Sequence, residues 1–452
     1  MNLPPFDSVV AEASDLPAYS SLSAHAADFT PRVLVEHSYA LDDKKDGSWF
    51  TLKISSRASS PSSLPLLVEG DPIVGSVSLA LVKEAKIKSI SISVVGELVL
   101  LSSDAYIFAE VTEQLWQPGK GHLHAVGEAT TQPTSNDKGK ICGSFCWPFS
   151  IELPRTVELK HGELQQYQLP ASYSERGARV SIHYRITATV IRGLLSTEYA
   201  AGTNAVYIPR IQPDPPSPAR QNAYLVKTPL LGPEDDPDGW HTLPSLTIRG
   251  KIFDVREVEV TCTLSFAKPL CYTRGSNIPL WMALESQDSQ VLDLLSTTRA
   301  INVRLRRVFH LQYDFLDPMT FGKGTKIADL KATPNIAFRD TTVDVQGATW
   351  WPQSRMNTGE GSEKAGTRVL QGELPLKASL LPSSHMGHYR ISYVVSMFPF
   401  GVEGFISADS MKVPLQTLPV EIATVYSSGP RPLTYLTAQA IDQIPNEFAF
   451  LN

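Results

Sequence analysis

The sequence predicts an all-β protein of two large sandwiches in tandem, and three observations predict it. Apolar and polar residues alternate with period two in many short segments, as in strands with one buried and one wet face. Turns rich in Gly and Pro separate these segments, and no long amphipathic helix interrupts them. The pattern is also written twice. Gly70 is followed by Ile73, Val77 and Leu79; 205 positions later, Gly275 is followed at the same offsets by Ile278, Met282 and Leu284. Leu169-Pro170-Ala171-Ser172 and Leu381-Pro382-Ser383-Ser384 lie 212 positions apart, and each leads into an alternating strand. Two landmarks in one order at nearly one offset imply a duplicated domain.

Residues 1–29 are rich in Pro, Ser and Ala and read as a flexible arm. Residues 30–208 form the first sandwich. Its clearest strands alternate Ile90, Ile92 and Val94 with serines, and Val180, Ile182, Tyr184, Ile186, Ala188 and Val190 with polar residues. A slip of one residue would turn these faces inside out, so the register is well specified. Residues 209–245 carry Pro209, Pro213, Pro215, Pro216, Pro218, Pro229, Pro233 and Pro237 and the acidic run Glu234-Asp235-Asp236. Proline has no ladder donor, so this stretch reads as a semi-extended linker. Residues 246–425 form the second sandwich, with Val258, Val260, Cys262 and Leu264, then Ile301, Val303 and Leu305, then Tyr389, Ile391, Tyr393 and Val395 on inward faces. A short helix is expected around Ser289–Ser296, and a polar, Gly-rich mobile loop over Gln353–Gly366. Residues 426–452 read as a tail.

Composition narrows the classes. At 42% apolar and 19% charged, the chain can bury substantial cores. Its formal charge of −6 gives no overall drive toward nucleic acid. No apolar run reaches the roughly 18 residues of a spanning helix. Met1 to Asp15 lacks a basic flank and an apolar stretch, against a secretion signal. Four scattered cysteines and no permitted Asn-x-Ser/Thr acceptor favour a reducing compartment.

The run Gly70-Asp71-Pro72-Ile73-Val74-Gly75-Ser76-Val77-Ser78-Leu79, the strand Ile87 to Gly96, the segment Phe145 to Pro154 and Leu169-Pro170 before Val180 to Ile186 together resemble the N-terminal domain of the arrestin-like family. Leu264 to Pro269, Tyr272, Gly275 to Leu280 and Tyr389 to Val395 resemble its C-terminal domain. The likeness, closest to fungal α-arrestins, spans about residues 33–425. It implies two immunoglobulin-like β-sandwiches of arrestin type with flexible arms. It also implies a non-catalytic adaptor, cytoplasmic and peripheral at the plasma membrane or endosomes. Such an adaptor links membrane transporter or receptor cargo to ubiquitin ligase and endocytic machinery. An arrestin-fold structural or signalling scaffold of retromer-like kind, without ligase binding, is the alternative. A β-sandwich enzyme or carbohydrate-binding module is a third class, which secretion would favour.

Many α-arrestins carry Pro-Pro-x-Tyr peptides that WW domains of HECT-type ubiquitin ligases read as pre-extended proline segments. The nearest match here is Leu16-Pro17-Ala18-Tyr19 in the arm, with Leu16, Pro17 and Tyr19 as the contact residues. Pro170-Ala171-Ser172-Tyr173 looks similar but falls at a turn of the sandwich. Arg299, Arg304, Arg306 and Arg307 form a basic cluster, with Arg304 and Arg306 on one strand face. Such a face could meet phosphorylated tails or anionic lipid at a membrane surface, or could be an ordinary strand face paired with carboxylates. Cys142-x-x-x-Cys146 lacks the further ligands a structural zinc wants, although His122 and His124 precede it; a buried strand flanked by Phe145, Trp147 and Phe149 is the expectation. His385 and His388 have no third partner. Gly322-Lys323-Gly324-Thr325-Lys326 lacks the strand-to-helix setting of a phosphate loop. Asp42-Asp43 and Asp235-Asp236 read as solvated turn residues. No nucleophile elbow, zinc-protease helix or Walker loop occurs, so no catalytic residue, metal or cofactor is assigned. The apolar end Glu447-Phe448-Ala449-Phe450-Leu451 could dock on a sheet edge, as an arrestin tail strand does.

Overall fold

A computed structural model describes residues 34–43, 47–100, 105–119, 140–161, 163–175, 180–311, 341–352, 366–387 and 389–435. The protein is all-β, with two short α-helices among the described residues. The first half contains β1 (Val35–Asp43), β2 (Gly47–Ser56), β3 (Leu66–Val68), β4 (Ile73–Leu100), β5 (Ala105–Trp116), β6 (Lys140–Ile151), β7 (Thr156–His161), β8 (Glu163–Gln168), β9 (Val180–Arg192) and β10 (Thr197–Ile208). Helix α1 (Pro218–Val226) follows. The second half contains β11 (Trp240–Thr242), β12 (Leu246–Ile252), β13 (Arg256–Ala267), β14 (Cys271–Thr273) and β15 (Asn277–Glu285), then helix α2 (Ser289–Leu295). It continues with β16 (Asn302–Leu311), β17 (Thr341–Gly347), β18 (Thr349–Pro352), β19 (Thr367–Pro375), β20 (Ser384–Met386), β21 (Tyr389–Phe398), β22 (Phe405–Ser407) and β23 (Gln416–Ala423).

One strand order is built twice. Ile73–Leu81 of β4 lies between β2 and β6, with β1 outside β2. The later part of β4, from Ile87, lies between β5 and β9, followed by β10 and β3. The second half repeats this as β12-β13-β15-β19 and β17-β16-β21-β23-β14. In each half a three-residue strand pairs in parallel with a late strand, β3 with β10 and β14 with β23. Each of those short strands runs into a left-handed glycine, Gly70 at φ 81° and Gly275 at φ 82°, where a side chain would be strained.

The period-two faces lie where the sequence puts them. Ile90, Ile92, Val94, Ile182, Tyr184, Ile186, Leu264, Leu305, Tyr389 and Tyr393 are fully buried in a continuous core. Each buried aliphatic side chain contributes roughly 1.5–3 kcal/mol before entropy is counted. Along β4 the inward residues are odd-numbered from Ile73 to Ile87 and even-numbered from Ile90 to Leu98. The switch coincides with a register shift between Ile87 and Ser89, where the strand turns its other face inward. Helix α2 forms over the stretch expected to be helical, capped by Asp288 accepting from the backbones of Gln290 and Val291.

Three expectations are corrected. The linker is not simply semi-extended: α1 lies within it. Pro218 stands at the start of that helix, where its missing N–H is harmless, and Ser217 Oγ caps the Arg220 N–H at 3.2 Å. Asp236 is buried, not solvated; it accepts from Ser217 Oγ at 2.6 Å and from the Gly239 N–H. The tail also begins later than expected, because residues 426–435 are bound to the body. Buried Glu373 accepts from Thr434 Oγ1 at 2.9 Å and the Tyr435 N–H at 2.8 Å, and Tyr435 Oη donates to the Thr228 carbonyl at 2.7 Å. Both contacts join residues too distant in sequence for local pattern to reveal.

Candidate functional site

The two halves meet through turns that they share as a design. In the first, Ser172 N–H donates to the Tyr207 carbonyl, its Oγ accepts from the Tyr207 N–H, and Tyr184 Oη donates to the Pro170 carbonyl at 2.7 Å. In the second, Ser383 exchanges the same pair of bonds with Ile422, and Tyr393 Oη donates to the Leu381 carbonyl at 2.8 Å. The same three bonds fix both turns, buried in the first and part-buried in the second.

Two contacts bridge the halves here. Arg307 of β16 donates two bonds to Glu175, at 2.5 and 2.7 Å, a forked pair that fixes orientation as well as distance. Beside it Tyr173 stacks on Phe309, and Tyr389 meets Phe309 edge-on. Burial, reinforced by Glu175, pushes the Tyr173 phenol up to about 12. Glu175 is 43% exposed in its side chain, so solvent screens the pair and about 1 kcal/mol is its ceiling. The stacked rings supply the rest of the hold. Further along, Thr424 Oγ1 donates to the Pro209 carbonyl at 2.6 Å and accepts from the Ile211 N–H at 2.9 Å, pinning the start of the linker to the end of β23.

Between these contacts runs a cleft of about 830 Å³, lined from the first half by Gln166 to Leu169 and from the second by β20, β21 and β23. Its lining mixes polar Gln166, Gln168, Ser392 and Glu421 with apolar Leu169, Ile211, Ile391 and Val420. Tyr167 presents its ring edge-on to His385, with centroids 5.3 Å apart, and Arg390 Nη2 lies 3.2 Å from His385 Nε2. Cys271 and Glu421 stand at the other end; burial, then Glu421, pushes the Cys271 thiol up to about 12, so it stays protonated and unreactive. A cleft of this size and mixed lining can take a short stretch of another chain or a small molecule.

Burial, then the Arg390 charge, holds the His385 imidazole below its ordinary pKa. The folded state therefore resists the proton that the unfolded chain accepts. Stability present above about pH 6.5 is lost as the pH falls through the depressed value. The side chain keeps an exposed edge, so the loss is modest. An NMR titration of the His385 ring is expected to give a midpoint below 6.5, moving toward it in Arg390→Gln. A midpoint at or above 6.5 in the unaltered protein contradicts the arrangement.

The arginine cluster expected from sequence is divided. Arg304 and Arg306 do share a strand face, and both donate to Asp344, at 2.8 and 3.0 Å, with their guanidinia over Phe398. A phosphate or lipid headgroup arriving there has to displace Asp344. Arg307 belongs to Glu175 instead, and Arg299 is exposed on the turn after α2. Cys142 and Cys146 lie on the outer face of β6, while Phe145, Trp147 and Phe149 take the buried one; the odd-numbered aromatics set the parity and leave the cysteines to the wet side. Among the described residues no group of three or more His, Cys, Asp or Glu could hold a metal. Leu16, Pro17 and Tyr19, His122, His124, His388, the Gly322–Lys326 run and the Glu447–Leu451 end lie outside the described residues. Sequence reasoning missed Glu175, Tyr167 and Arg390, and gave Tyr173 a place at a turn but no partner, because their meaning lies in partners across the chain: Glu175 and Arg307 are 132 positions apart.

Neither a protein-family model nor a curated protein sequence matches the chain. Fold and site define a class: an all-β protein that builds one strand order twice and opens a cleft between the copies. Among the described residues no helix is long and apolar enough to cross a membrane.

Proposed function

We propose that the chain is an arrestin-like adaptor, two tandem immunoglobulin-like β-sandwiches that link membrane transporter or receptor cargo to a WW-domain HECT-type ubiquitin ligase and the endocytic machinery. The observation that carries this reading is the doubled strand order, with left-handed Gly70 and Gly275 and the paired Ser–Tyr turns at matching places. In this reading the work is geometric and non-catalytic. The two halves, held by Arg307–Glu175 and the Tyr173–Phe309 stack, keep the cleft at a fixed width for an extended cargo segment. Leu16, Pro17 and Tyr19 recruit the ligase, and the protein acts in the cytoplasm, at the plasma membrane or endosomes. Anionic lipid contact through Arg299, Arg304 and Arg306 requires the headgroup to displace Asp344 from two of the three.

Proximity labelling with the intact chain, with residues 1–29 removed and with Tyr19→Ala tests it. The intact chain is expected to recover a WW-domain ligase together with membrane cargo. Both altered chains are expected to lose the ligase and keep the cargo. Ligase recovery that ignores both changes removes the arm from this role. A stable complex with trafficking subunits and no ligase in any arm supports the retromer-like scaffold instead.

A further inference from the structure

The hairpin that joins β9 to β10 carries Leu194 and Leu195 at its tip, 81% and 93% exposed. Single exposed leucines are ordinary on a protein surface. These two differ because the tip is built to hold them out. Gly193 and Ser196, on either side of them, are both left-handed, at φ 81° and 57°. Glycine takes that backbone freely, but serine is strained in it. The turn is pinned from the neighbouring strand β4. The Gly193 N–H donates to the Lys86 carbonyl at 2.7 Å, and Lys88 Nζ donates to the Leu194 carbonyl at 3.3 Å and to Ser196 Oγ. A turn that only had to connect two strands would carry polar residues here, and backbone strain of this kind clusters where a surface is used.

The surroundings say what the leucines meet. Arg192 lies over Trp49, 5.4 Å from the ring centroid, and Trp49 meets Tyr199 edge-on at 5.2 Å. Trp49 is half-buried and Tyr199 exposed, so an aromatic rim stands behind the tip. Lys86, Lys88 and Arg192 add three positive charges, and among the described residues none of them pairs with a carboxylate. The carboxylates of β4, β9 and β10 are placed elsewhere. Glu84 pairs with Lys140 at 3.6 Å and Glu97 with Arg185 at 3.2 Å. Glu198 stands opposite Ile191 in the ladder, so it takes the other face from Arg192 and Tyr199. A protruding pair of leucines is too small for a stable protein interface, which needs about 800 Å² from each partner. It does suit the headgroup boundary of a bilayer, where Trp and Tyr rings settle and cations meet anionic lipid.

We propose that the β9–β10 tip inserts Leu194 and Leu195 into the surface of an anionic bilayer, with Lys86, Lys88 and Arg192 on the lipid phosphates. This contact lies apart from the arginines of β16 and does not rest on the cargo and ligase reading. Flotation of the full chain with vesicles of phosphatidylcholine, with and without phosphatidylserine, tests it. The chain is expected to float with the phosphatidylserine vesicles and about tenfold less without that lipid. The double variant Leu194→Ser/Leu195→Ser is expected to lower flotation by about tenfold or more. Its urea midpoint is expected to stay unchanged, because both side chains are already in solvent. Arg304→Gln/Arg306→Gln reports on the β16 face separately, so the failure of one contact does not carry the other. The proposal is overturned if the unaltered chain does not float, if the leucine variant floats equally well, or if phosphatidylserine makes no difference. A chain that self-associates without vesicles and becomes monomeric in the leucine variant also overturns it, and marks the tip as an interface between copies.

Discussion

Replacing Arg220 by alanine is expected to destabilise the second half by about 3 kcal/mol, a large effect for one side chain. Arg220 is 3% exposed, and its guanidinium donates to the Lys268 carbonyl at 2.7 Å and the Gly239 carbonyl at 2.6 Å while covering the Trp240 ring at 4.9 Å. Alanine removes the side-chain donor from the Lys268 carbonyl, leaves the Gly239 carbonyl with the Lys268 N–H alone, uncovers one face of Trp240 and removes a cation that acts on buried Asp236. Burial lowers the Arg220 pKa, but a guanidinium stays charged at any working pH, so the interaction does not titrate away. Lysine keeps the charge but not the fork, so Arg220→Lys is expected to recover less than half of the loss. Urea unfolding measures the loss, and hydrogen exchange over Pro218–Val226 locates it. An Arg220→Ala protein with unchanged midpoint and unchanged exchange in α1 contradicts this account.

Glu373→Ala is expected to cost about 2 kcal/mol and to free residues 426–435 from the body. The carboxylate is 1% exposed and takes the Thr434 hydroxyl and the Tyr435 N–H, one on each oxygen. Glutamine fits the space but turns an NH₂ toward one of those donors, so Glu373→Gln is expected to fall between. Limited proteolysis by chymotrypsin after Tyr435 separates a local release from global loss. Cleavage at Tyr435 should rise at least tenfold in Glu373→Ala while the β-sheet signal at 25 °C is unchanged. Equal cleavage in both proteins contradicts the clamp.

Much of the architecture was legible because its cause is local. The alternation of Val180 to Val190 fixes which face is buried, and Val180, Ile182, Tyr184, Ile186, Ala188 and Val190 are all within 2% of full burial. The recurrence at Gly70 and Gly275 was legible because a left-handed turn demands the same residue each time. Helix α1 was misread because Pro218 was weighed as a strand breaker; beside a capping serine the same residue starts a helix. The cleft was not legible at all. Tyr167, His385 and Arg390 are unremarkable in their own segments and meet only after two sheets have been placed. The arginines illustrate the middle case. Period-two alternation along their strand predicts the shared face but not Asp344, which reaches them from a strand 38 to 40 positions away.

The unbroken β4 has a mechanical consequence. In the first half a single backbone serves both sheet systems, from Ile73 through Leu100, so pulling one away from the other tears ladder bonds in either case. In the second half the equivalent path is cut into β15 and β16, with α2 inserted as a spacer. There the backbone crosses between the sheets at their edge instead, where β17 runs through Ala348 into β18 and the Ala348 N–H is bonded to the Val303 carbonyl. The first copy is therefore spliced through its middle and the second along its rim, so the same strand order is braced against shear at two different places.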